Sequence, residues 1–352
     1  MNSFASHCRC LGENFLVLVA TATLLIAAGF AQIEECQPGS QLFYQHHWQE
    51  AAEAFQNCEL GSPGKTDALL YRAKSLINLS DFSGAAAALD SYVANHPDSD
   101  DALYLLGYVR FRQNRPQQSL ETFARAAKLK APQASDLKIA ALDYVLLNDY
   151  ESAARYLEES LKMNPQDAEA RYHLGRVRYE ENQFDSAIAA FEEVLRQEPA
   201  NVKAEDNLGL CLEAKNQNEQ AIAAYRKAIE MDETSTQRNA QPYIDLGKLL
   251  NTLNRAAEAD PLLSEAVKIQ PDSAPAHYEL GRALFLLGRL QESQAQLIEA
   301  IRLDPDNSSP HYLLGRVYSR MGKPDLAQEQ FKMTESLIHR QNSKSGGMAS
   351  QR

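Results

Sequence analysis

Positive charge is scarce in this sequence of 352 residues. The chain carries 35 Lys and Arg against 47 Asp and Glu, which gives a net charge of -12 at pH 7. An excess of negative charge repels phosphate backbones and anionic lipid headgroups, so we expect no nucleic-acid partner. A hydrophobic content of 44% with 23% charged residues is typical of a folded protein and excludes a mainly disordered chain.

Sequence motifs that carry chemistry are also lacking. Gly64-Lys65-Thr66 resembles the end of a phosphate-binding loop, but Glu59 stands where that motif needs a glycine. The adjacent His46 and His47 have no Cys or carboxylate at metal-ligand spacing. We therefore expect no catalytic residue, no cofactor and no metal site.

The N-terminal region contains an uncharged apolar run from Phe15 to Ala31. Gly29-Phe30-Ala31 provides the small residues that a signal peptidase requires before Gln32. We therefore expect residues 1–31 to be a cleaved signal peptide and the protein to be exported, either to the periplasm or out of the cell. An uncleaved membrane anchor formed by residues 15–31 stays open, because 17 apolar residues is the lower limit for spanning a bilayer.

Cysteine is scarce as well, with five residues in the chain. Removal of residues 1–31 would leave Cys36, Cys58 and Cys211. Export permits disulfide formation, because the compartments outside the cytosol are oxidising. Cys36 follows Ile33-Glu34-Glu35 rather than small residues, so attachment of a lipid to this cysteine is not expected.

Glycine accounts for only 16 residues, yet it recurs at a fixed interval. Three segments that begin at Tyr172, Tyr278 and Tyr312 share a Tyr-X-Leu-Gly-Arg pattern, and the last two are 34 residues apart. Extending this step, with one slip of four residues, gives Ala73, Gly107, Ala141, Gly175, Gly209, Gly247, Gly281 and Gly315. Eight positions chosen at random would hold fewer than one glycine, and these hold six, so the repeat is real.

Small and large residues follow the Gly/Ala position at fixed distances. Twelve residues later come Ala85, Ser119, Ala153, Ala187, Ala221, Ala259, Ser293 and Ala327. Four residues further come Leu89, Phe123, Leu157, Phe191, Tyr225, Leu263, Leu297 and Phe331. The pattern predicts two antiparallel helices per repeat, because glycine inside a helix costs about 1 kcal/mol and close helix approach would offset that cost. We expect the two small residues to face each other and the large residue to fill the space toward the next repeat.

The 34-residue period, this small-small-large pattern and the prolines that close the repeats, such as Pro199 and Pro271, resemble the tetratricopeptide repeat. The resemblance implies an all-α fold, a right-handed α-solenoid or superhelix of antiparallel helix pairs, with about eight full repeats. Residues 66–235 would form repeats 1–5, and residues 236–340 would form repeats 6–8 after a four-residue insertion that predicts a longer polar loop. Residues 341–352 are polar and rich in Gly and Ser, so we expect a disordered tail.

Residues 32–65 match the repeat only in part, with Gly39 and Phe55 in register, and predict a degenerate N-terminal capping repeat. In this register Cys36 lies near the start of the first helix and Cys58 near the end of the second. An antiparallel pair brings these two ends together, so we expect a disulfide between them. Two free buried thiols are the alternative, because the geometric tolerance of a disulfide is narrow.

The resemblance also implies a binding groove, because the first helix of each tetratricopeptide repeat lines the concave side of the superhelix. Residues three before, one after and four after the central glycine face that groove. These positions select Tyr104, Tyr108, Phe111, Tyr172, Arg176, Tyr179, Tyr278, Arg282, Phe285, Tyr312 and Arg316. Tyr and Arg favour capture of a peptide through stacking and bidentate recognition of carboxylates. The alternative is that some of the tyrosines pack between repeats. Family members that clamp a C-terminal carboxylate have Lys and Asn at matching positions, so that clamp is not expected here.

The leading hypothesis for function is a non-enzymatic scaffold or adaptor, in the periplasm or outside the cell, that binds a protein or peptide ligand in the concave groove. The alternative is an accessory subunit of an envelope enzyme or export complex, such as one for polysaccharide or outer-membrane assembly. An enzyme with an unrecognised site is least favoured, because the helical repeats leave no globular domain over. Contact with a membrane is expected only if the N-terminal segment stays uncleaved.

Overall fold

The computed structural model of the protein describes residues 36–61 and 67–349. Over these residues the chain forms 18 α-helices and no strand. The predicted signal peptide or anchor, residues 1–31, lies outside the described residues, and so does Gly64-Lys65-Thr66. Within the described ranges, none of the helices combines the length and the apolar content that crossing a bilayer requires.

The helices follow one another through short turns. In chain order they are α1 Gln37–Tyr44, α2 Trp48–Gly61, α3 Ala68–Asn78, α4 Phe82–Asn95, α5 Asp100–Arg112, α6 Pro116–Ala127, α7 Ala134–Leu146, α8 Tyr150–Met163, α9 Ala168–Glu180, α10 Phe184–Gln197, α11 Val202–Ala214, α12 Asn218–Glu233, α13 Gln241–Thr252, α14 Ala256–Ile269, α15 Ala274–Leu286, α16 Leu290–Leu303, α17 Ser308–Arg320 and α18 Pro324–Ala349. The chain forms two compact units, the first ending at Glu181 and the second beginning at Asn182.

The 18 helices of the described ranges are nine consecutive pairs, one degenerate pair (α1 and α2) and eight full ones. Neighbouring helices within each unit pack against each other in sequence order, as in an α-solenoid. In the first unit α3, α4 and α5 share a core around Leu89, Leu103 and Leu106, so the repeat of α3 and α4 buries its apolar face against the first helix of the next repeat. The predicted all-α array of eight repeats and an N-terminal cap is therefore confirmed.

A residue with left-handed backbone lies in the turn between the two helices of each pair. These residues, with φ between 58° and 76°, are His46, Ser80, Asn114, Asn148, Asn182, Asn216, Asn254, Gly288 and Gly322. Glycine and asparagine adopt this conformation at the lowest cost, and the turn it makes closes the first helix. In the turn at Asn114, the N–H of Arg115 donates to the carbonyl of Arg110 at 3.0 Å. Sequence reasoning missed this position, although Asn or Gly recurs there with the same 34-residue period.

The recurrent glycine lies directly under the large side chain of its own repeat. A Cβ atom on Gly209 would lie 2.6 Å from the ring of Tyr225 in the second helix. The same contact joins Gly39 to Phe55, Gly107 to Phe123, Gly247 to Leu263, Gly281 to Leu297 and Gly315 to Phe331. The large residue thus covers the glycine of its own repeat, where we had expected it to fill the space toward the next one. The reason is that residues four apart on a helix lie on the same face, so the small and large residues of the second helix both face the first helix.

The capping repeat is closed by a disulfide between Cys36 and Cys58, whose Cα atoms are 6.1 Å apart. Cys36 is the residue before α1, and Cys58 lies in the last turns of α2. The bridge therefore joins the two ends of the antiparallel pair. The cap is further filled by Phe55, whose ring stacks on that of Tyr71 in the next repeat with 5.6 Å between centroids.

Thiol titration of the denatured protein tests this bridge. For residues 32–352 without reductant, we expect one reactive thiol, that of Cys211, and three after reduction. The variant Cys58→Ser serves as the control and should show two thiols in both conditions, because Cys36 then has no partner. Three reactive thiols before reduction in the unaltered protein would contradict the bridge.

The insertion forms the loop between α12 and α13, residues 234–240. Hydrogen bonds to side chains of neighbouring helices hold the loop. The buried carboxylate of Asp232 on α12 accepts a hydrogen bond from the N–H of Asn239 at 2.7 Å. The guanidinium of Arg238 donates to Glu265 at 2.8 Å. The loop is therefore tied to α12, which precedes it, and to α14, the second helix of the next repeat.

The C-terminal segment differs from its prediction, because α18 continues to Ala349 while we had expected disorder from residue 341. Arg340 and Gln341 explain the difference at the expected boundary. The Arg340 guanidinium lies 3.3 Å from the Asp306 carboxylate, and the Gln341 amide donates to the Asp306 carbonyl at 3.1 Å. These contacts hold the helix in place, and an existing helix gains one backbone hydrogen bond with each residue added.

Candidate partner-binding surface

The residues predicted to line a groove all lie on the first helices of repeats. In the first unit, Tyr104, Tyr108 and Phe111 lie on α5, and Tyr172, Arg176 and Tyr179 lie on α9. In the second unit, Tyr278, Arg282 and Phe285 lie on α15, and Tyr312 and Arg316 lie on α17.

The three aromatic residues of α5 are half-buried and pack on the cores of neighbouring repeats. The hydroxyl of Tyr104 donates to the carbonyl of Lys130 at 2.6 Å, and burial raises the pKa of this tyrosine. The hydroxyl of Tyr108 accepts a hydrogen bond from Arg112 at 2.7 Å. These side chains have partners within the chain, so packing accounts for much of their surface.

The α9 residues Tyr172, Arg176 and Tyr179 are half-buried as well. Two charged or titratable residues nearby are buried. Lys138 of α7 stands three residues before Ala141, the same position in its repeat that Tyr172 has before Gly175. Its ammonium lies 3.0 Å from the carboxylate of Asp167 and 2.6 Å from that of Glu169. Burial lowers the pKa of His173 to about 4, so its imidazole is neutral at pH 7. The buried charge of Lys138 is therefore paired within the chain.

In the second unit Phe285 is only 2% exposed, which corrects its prediction as a groove residue. Two arginines of α17 cover it. The guanidinium carbon of Arg320 lies 4.1 Å from the ring centroid of Phe285, and that of Arg316 lies 4.9 Å away. The packing of the next repeat thus places the two guanidiniums, and not the phenyl ring, at the surface.

Tyr312 lies beside the two arginines on the same helix. It is 51% exposed, and its ring centroid lies 6.0 Å from the guanidinium carbon of Arg316. Arg282 belongs to the same face, but it is half-buried and lies 3.5 Å from the carboxylate of Glu279. We call the exposed group formed by Tyr312, Arg316 and Arg320 the arginine patch. One N–H group of Arg320 donates to the carbonyl of Phe285 at 3.3 Å. Stacking on an aromatic ring leaves the other N–H groups of a guanidinium available for a carboxylate.

Acidic residues occupy the corresponding faces of α11 and α13, and sequence reasoning missed them. Asp206 and Glu213 stand three before and four after Gly209, and Asp245 stands two before Gly247. The register rule selects the first two, although neither is aromatic or cationic like the residues predicted to line the groove. Burial, followed by the charges of Asp245 and Glu213, raises the pKa of Asp206 well above its ordinary range. Burial raises the pKa of Asp245 to about 6.

Metal ligands are not assembled in the part of the chain that the structure describes, where no group of three or more His, Cys, Asp and Glu side chains could hold an ion.

Family models described as tetratricopeptide repeat match residues 70–134, 144–205, 178–241 and 240–273. A further model, described as TPR repeat, matches residues 281–322. Together they cover more than half of the chain. The chain belongs to the tetratricopeptide repeat family. No curated protein sequence matches this tetratricopeptide repeat chain.

Solved structures show the same fold. A tetratricopeptide repeat protein from Parabacteroides merdae aligns with a TM-score of 0.59 and 16% identity, over 71% of this chain and 98% of its own. The C-terminal part of a TPR repeat-containing protein from Cytophaga hutchinsonii aligns with a TM-score of 0.57 and 17% identity, over 70% of this chain and 99% of its own. At this identity the likeness shows the fold alone.

Proposed function

We propose that this tetratricopeptide repeat protein is a non-enzymatic scaffold that binds a segment of another protein along the first helices of its repeats. The observation that carries the proposal is the arginine patch. Arg316 is an exposed guanidinium, and both it and Arg320 are oriented by the buried ring of Phe285. Such preorganisation lowers the entropy lost on binding, and Tyr and Arg are enriched among the few residues that contribute most of the binding energy of an interface.

The ligand that fits this patch is an extended segment that presents a carboxylate, from an Asp or Glu side chain or a chain terminus. A planar guanidinium can donate two parallel hydrogen bonds to one carboxylate, and the exposed ring of Tyr312 offers a face on which an apolar side chain can pack. Such hydrogen bonds to a charged group contribute about 1.5–3 kcal/mol each. Loss of two or three of them would reduce binding by at least a hundredfold.

We further propose that the protein acts outside the cytosol. The support for this is the apolar N-terminal segment, residues 15–31, together with the disulfide between Cys36 and Cys58. Disulfides form and persist in oxidising compartments and are rare where thioredoxin and glutathione keep thiols reduced.

The proposed binding face is tested by the triple variant in which Arg176, Arg282 and Arg316 are replaced by alanine. We expect capture of partner proteins, measured by crosslinking in the native compartment followed by mass spectrometry, to fall at least tenfold. The matched control replaces Arg196, Arg226 and Arg302, three exposed arginines on the second helices α10, α12 and α16, and removes the same charge. Equal capture by both triple variants would refute the proposal, provided that both have the melting temperature of the parent protein.

A further inference from the structure

We propose that the first unit contains a separate binding site for a carboxylate of an acidic protein segment, formed by Arg112 and Arg115 in a cleft between its first two full repeats. We call this cleft, which is lined by residues 80–83 and by Arg112, Gln113 and Arg115, the turn cleft. The inference goes beyond the proposed function, because the turn cleft lies in the first unit and does not include the arginine patch.

The turn cleft lies where the helix turns of two consecutive repeats meet. One wall is formed by residues 80–83, in which the chain passes from α3 to α4. The other wall is the end of α5 and the turn that follows it. The cleft has a volume of about 390 Å³, and all its lining residues except Phe82 are polar. The amide of Gln113 donates to the carbonyl of Phe82 at 2.9 Å, so the two walls are bonded to each other without a ligand.

Arg112 is held in position by two aromatic rings. Its guanidinium carbon lies 4.2 Å from the ring centroid of Phe82, on the opposite wall, and 5.8 Å from that of Tyr108. One of its N–H groups donates to the hydroxyl of Tyr108 at 2.7 Å. A guanidinium carries several N–H donors in a planar fork, so the others are available to an anion in the cleft.

The same arrangement recurs in the arginine patch. Arg112 stands five residues after Gly107, and Arg320 stands five residues after Gly315. Each guanidinium stacks on a phenylalanine of the preceding repeat, at 4.2 Å from the ring centroid for Arg112 and 4.1 Å for Arg320. Among the eight full repeats, these two are the ones with arginine at this position. The turn cleft is thus a second place where an aromatic ring orients a guanidinium at the surface.

The positive charge of the turn cleft is not neutralised by the part of the chain that the structure describes. Residues 102–130 carry six Lys or Arg and one acidic residue, in a chain whose net charge is -12. Arg110 is paired with Asp90 at 3.0 Å. Neither Arg112 nor Arg115 forms an ion pair with a carboxylate of the described residues. Two guanidiniums therefore meet in one cleft without an anionic partner.

A single carboxylate matches the charge of the turn cleft. Asp81 also lines it, and its carboxylate caps α4 by accepting a hydrogen bond from the N–H of Gly84 at 2.9 Å. Two guanidiniums and one carboxylate leave one positive charge, which complements a carboxylate, whereas a phosphate dianion would also be repelled by Asp81. The exposed hydroxyls of Ser80 and Ser83 provide neutral donors at the same wall.

A carboxylate on another protein fits the shape of the turn cleft better than a small free acid does. Small molecules bind mainly in concave, largely apolar pockets that bury most of their surface. The turn cleft instead lies between two surface turns and has polar walls, so a side chain that protrudes from a partner can enter it. We therefore assign the carboxylate to a glutamate or aspartate of a partner segment.

The experiment measures binding of a rhodamine-labelled Gly/Ser peptide that carries one glutamate, and of a second peptide with glutamine in its place. All proteins carry Arg316→Ala and Arg320→Ala, so that the arginine patch does not contribute. We expect the glutamate peptide to bind at least fivefold more tightly than the glutamine peptide. The variant with Arg112→Gln and Arg115→Gln should bind the two peptides equally, because no guanidinium is left in the cleft.

The matched control replaces Arg125 and Lys128 by glutamine, which removes two exposed positive charges from the same repeat outside the turn cleft. This variant should keep the preference for glutamate. Arg115→Gln alone guards against loss of folding, because Arg115 is exposed in a turn and its removal should leave the melting temperature unchanged. It should reduce the preference at least twofold.

An unchanged preference in the Arg112→Gln and Arg115→Gln variant, or an equal loss in the control variant, would overturn the inference. Stronger displacement of the glutamate peptide by inorganic phosphate than by acetate would assign the turn cleft to a phosphate and also overturn it. Binding of acetate as tight as that of the peptide would assign it to a free acid, with the same consequence. The proposed function is tested separately, by partner capture with the triple arginine variant, and stands or fails independently of these results.

Discussion

Replacement of Asp143 by asparagine is expected to stabilise the protein by about 3 kcal/mol at pH 8 and by almost nothing at pH 4. Asp143 lies on α7 with 0% of its surface exposed, and neither carboxylate oxygen accepts a hydrogen bond. Burial raises the pKa of its carboxyl to about 8, from a value near 4 in the unfolded chain. The folded protein therefore binds this proton more tightly than the unfolded chain does.

The sign of the pH dependence follows from that difference. A carboxyl whose pKa is raised by folding leaves stability greatest below pH 4, and stability is lost as the pH rises from 4 through 8. A tenfold change in proton affinity corresponds to about 1.4 kcal/mol, so ionisation of Asp143 can lower the free energy of unfolding by at most about 5 kcal/mol. Entry of water beside the ionised carboxylate reduces this to about 3 kcal/mol. Asparagine has no charge to lose and should flatten the profile.

Urea unfolding of the parent protein and of Asp143→Asn at pH 4, 6 and 8 measures this effect. Asp90→Asn is the control, because Asp90 is an exposed carboxylate paired with Arg110 at 3.0 Å and should change stability by about 0.5 kcal/mol or less. Parallel pH profiles for the parent protein and Asp143→Asn would show that Asp143 is hydrated or paired in solution.

The second large effect is expected for Gly209→Ala, which should destabilise the second unit by about 2 kcal/mol. The added methyl would lie 2.6 Å from the ring of Tyr225, which is fully buried and must shift. Overpacking of this kind costs about 1–3 kcal/mol or more, which outweighs the gain of about 1 kcal/mol from replacing glycine by alanine in a helix. Gly61→Ala is the control, because no atom lies within 4 Å of its Cβ position and no loss is expected there.

The other repeats suggest how to rescue Gly209→Ala. Every aromatic residue at the large position is matched with glycine, whereas alanine occurs only with leucine, as in Ala73 with Leu89 and Ala141 with Leu157. The double variant Gly209→Ala with Tyr225→Leu recreates that pair and should lose less stability than the sum of the two single variants. Urea unfolding checks this result, and strict additivity would contradict the direct contact between the two positions.

The periodic features of the fold were predictable from the sequence because each one recurs. Eight Gly or Ala positions 34 or 38 residues apart define the helix pairs, and the partial match of Gly39 and Phe55 defines the cap. The left-handed turn residues could have been found by the same periodicity. The period of this turn position is less apparent from the sequence, because Ser80 and His46 stand there in place of Asn or Gly.

The character of the proposed binding face could be predicted only in part. The register rule gives the helix face of a residue, but it does not show what the next repeat places on top of it. Phe285 is buried for this reason, since Arg316 and Arg320 of the following repeat cover its ring. Asp206 and Asp245 were missed because the chemistry of a buried carboxylate depends on its neighbours across two repeats, and these neighbours are set by packing and not by local sequence.

The most direct test of the central claim, that partners bind on the first helices, is site-specific photocrosslinking in the cells that make the protein. A photoreactive residue is placed at Tyr312 on α17, which is 51% exposed, or at Ile298 on the second helix α16, which is 46% exposed. We expect a defined protein to be captured from Tyr312, capture from Ile298 to be at least tenfold weaker, and the Tyr312 product to disappear when Arg316 is also replaced by alanine. Equal capture from both positions, or capture from Tyr312 that is indifferent to Arg316, would contradict the account.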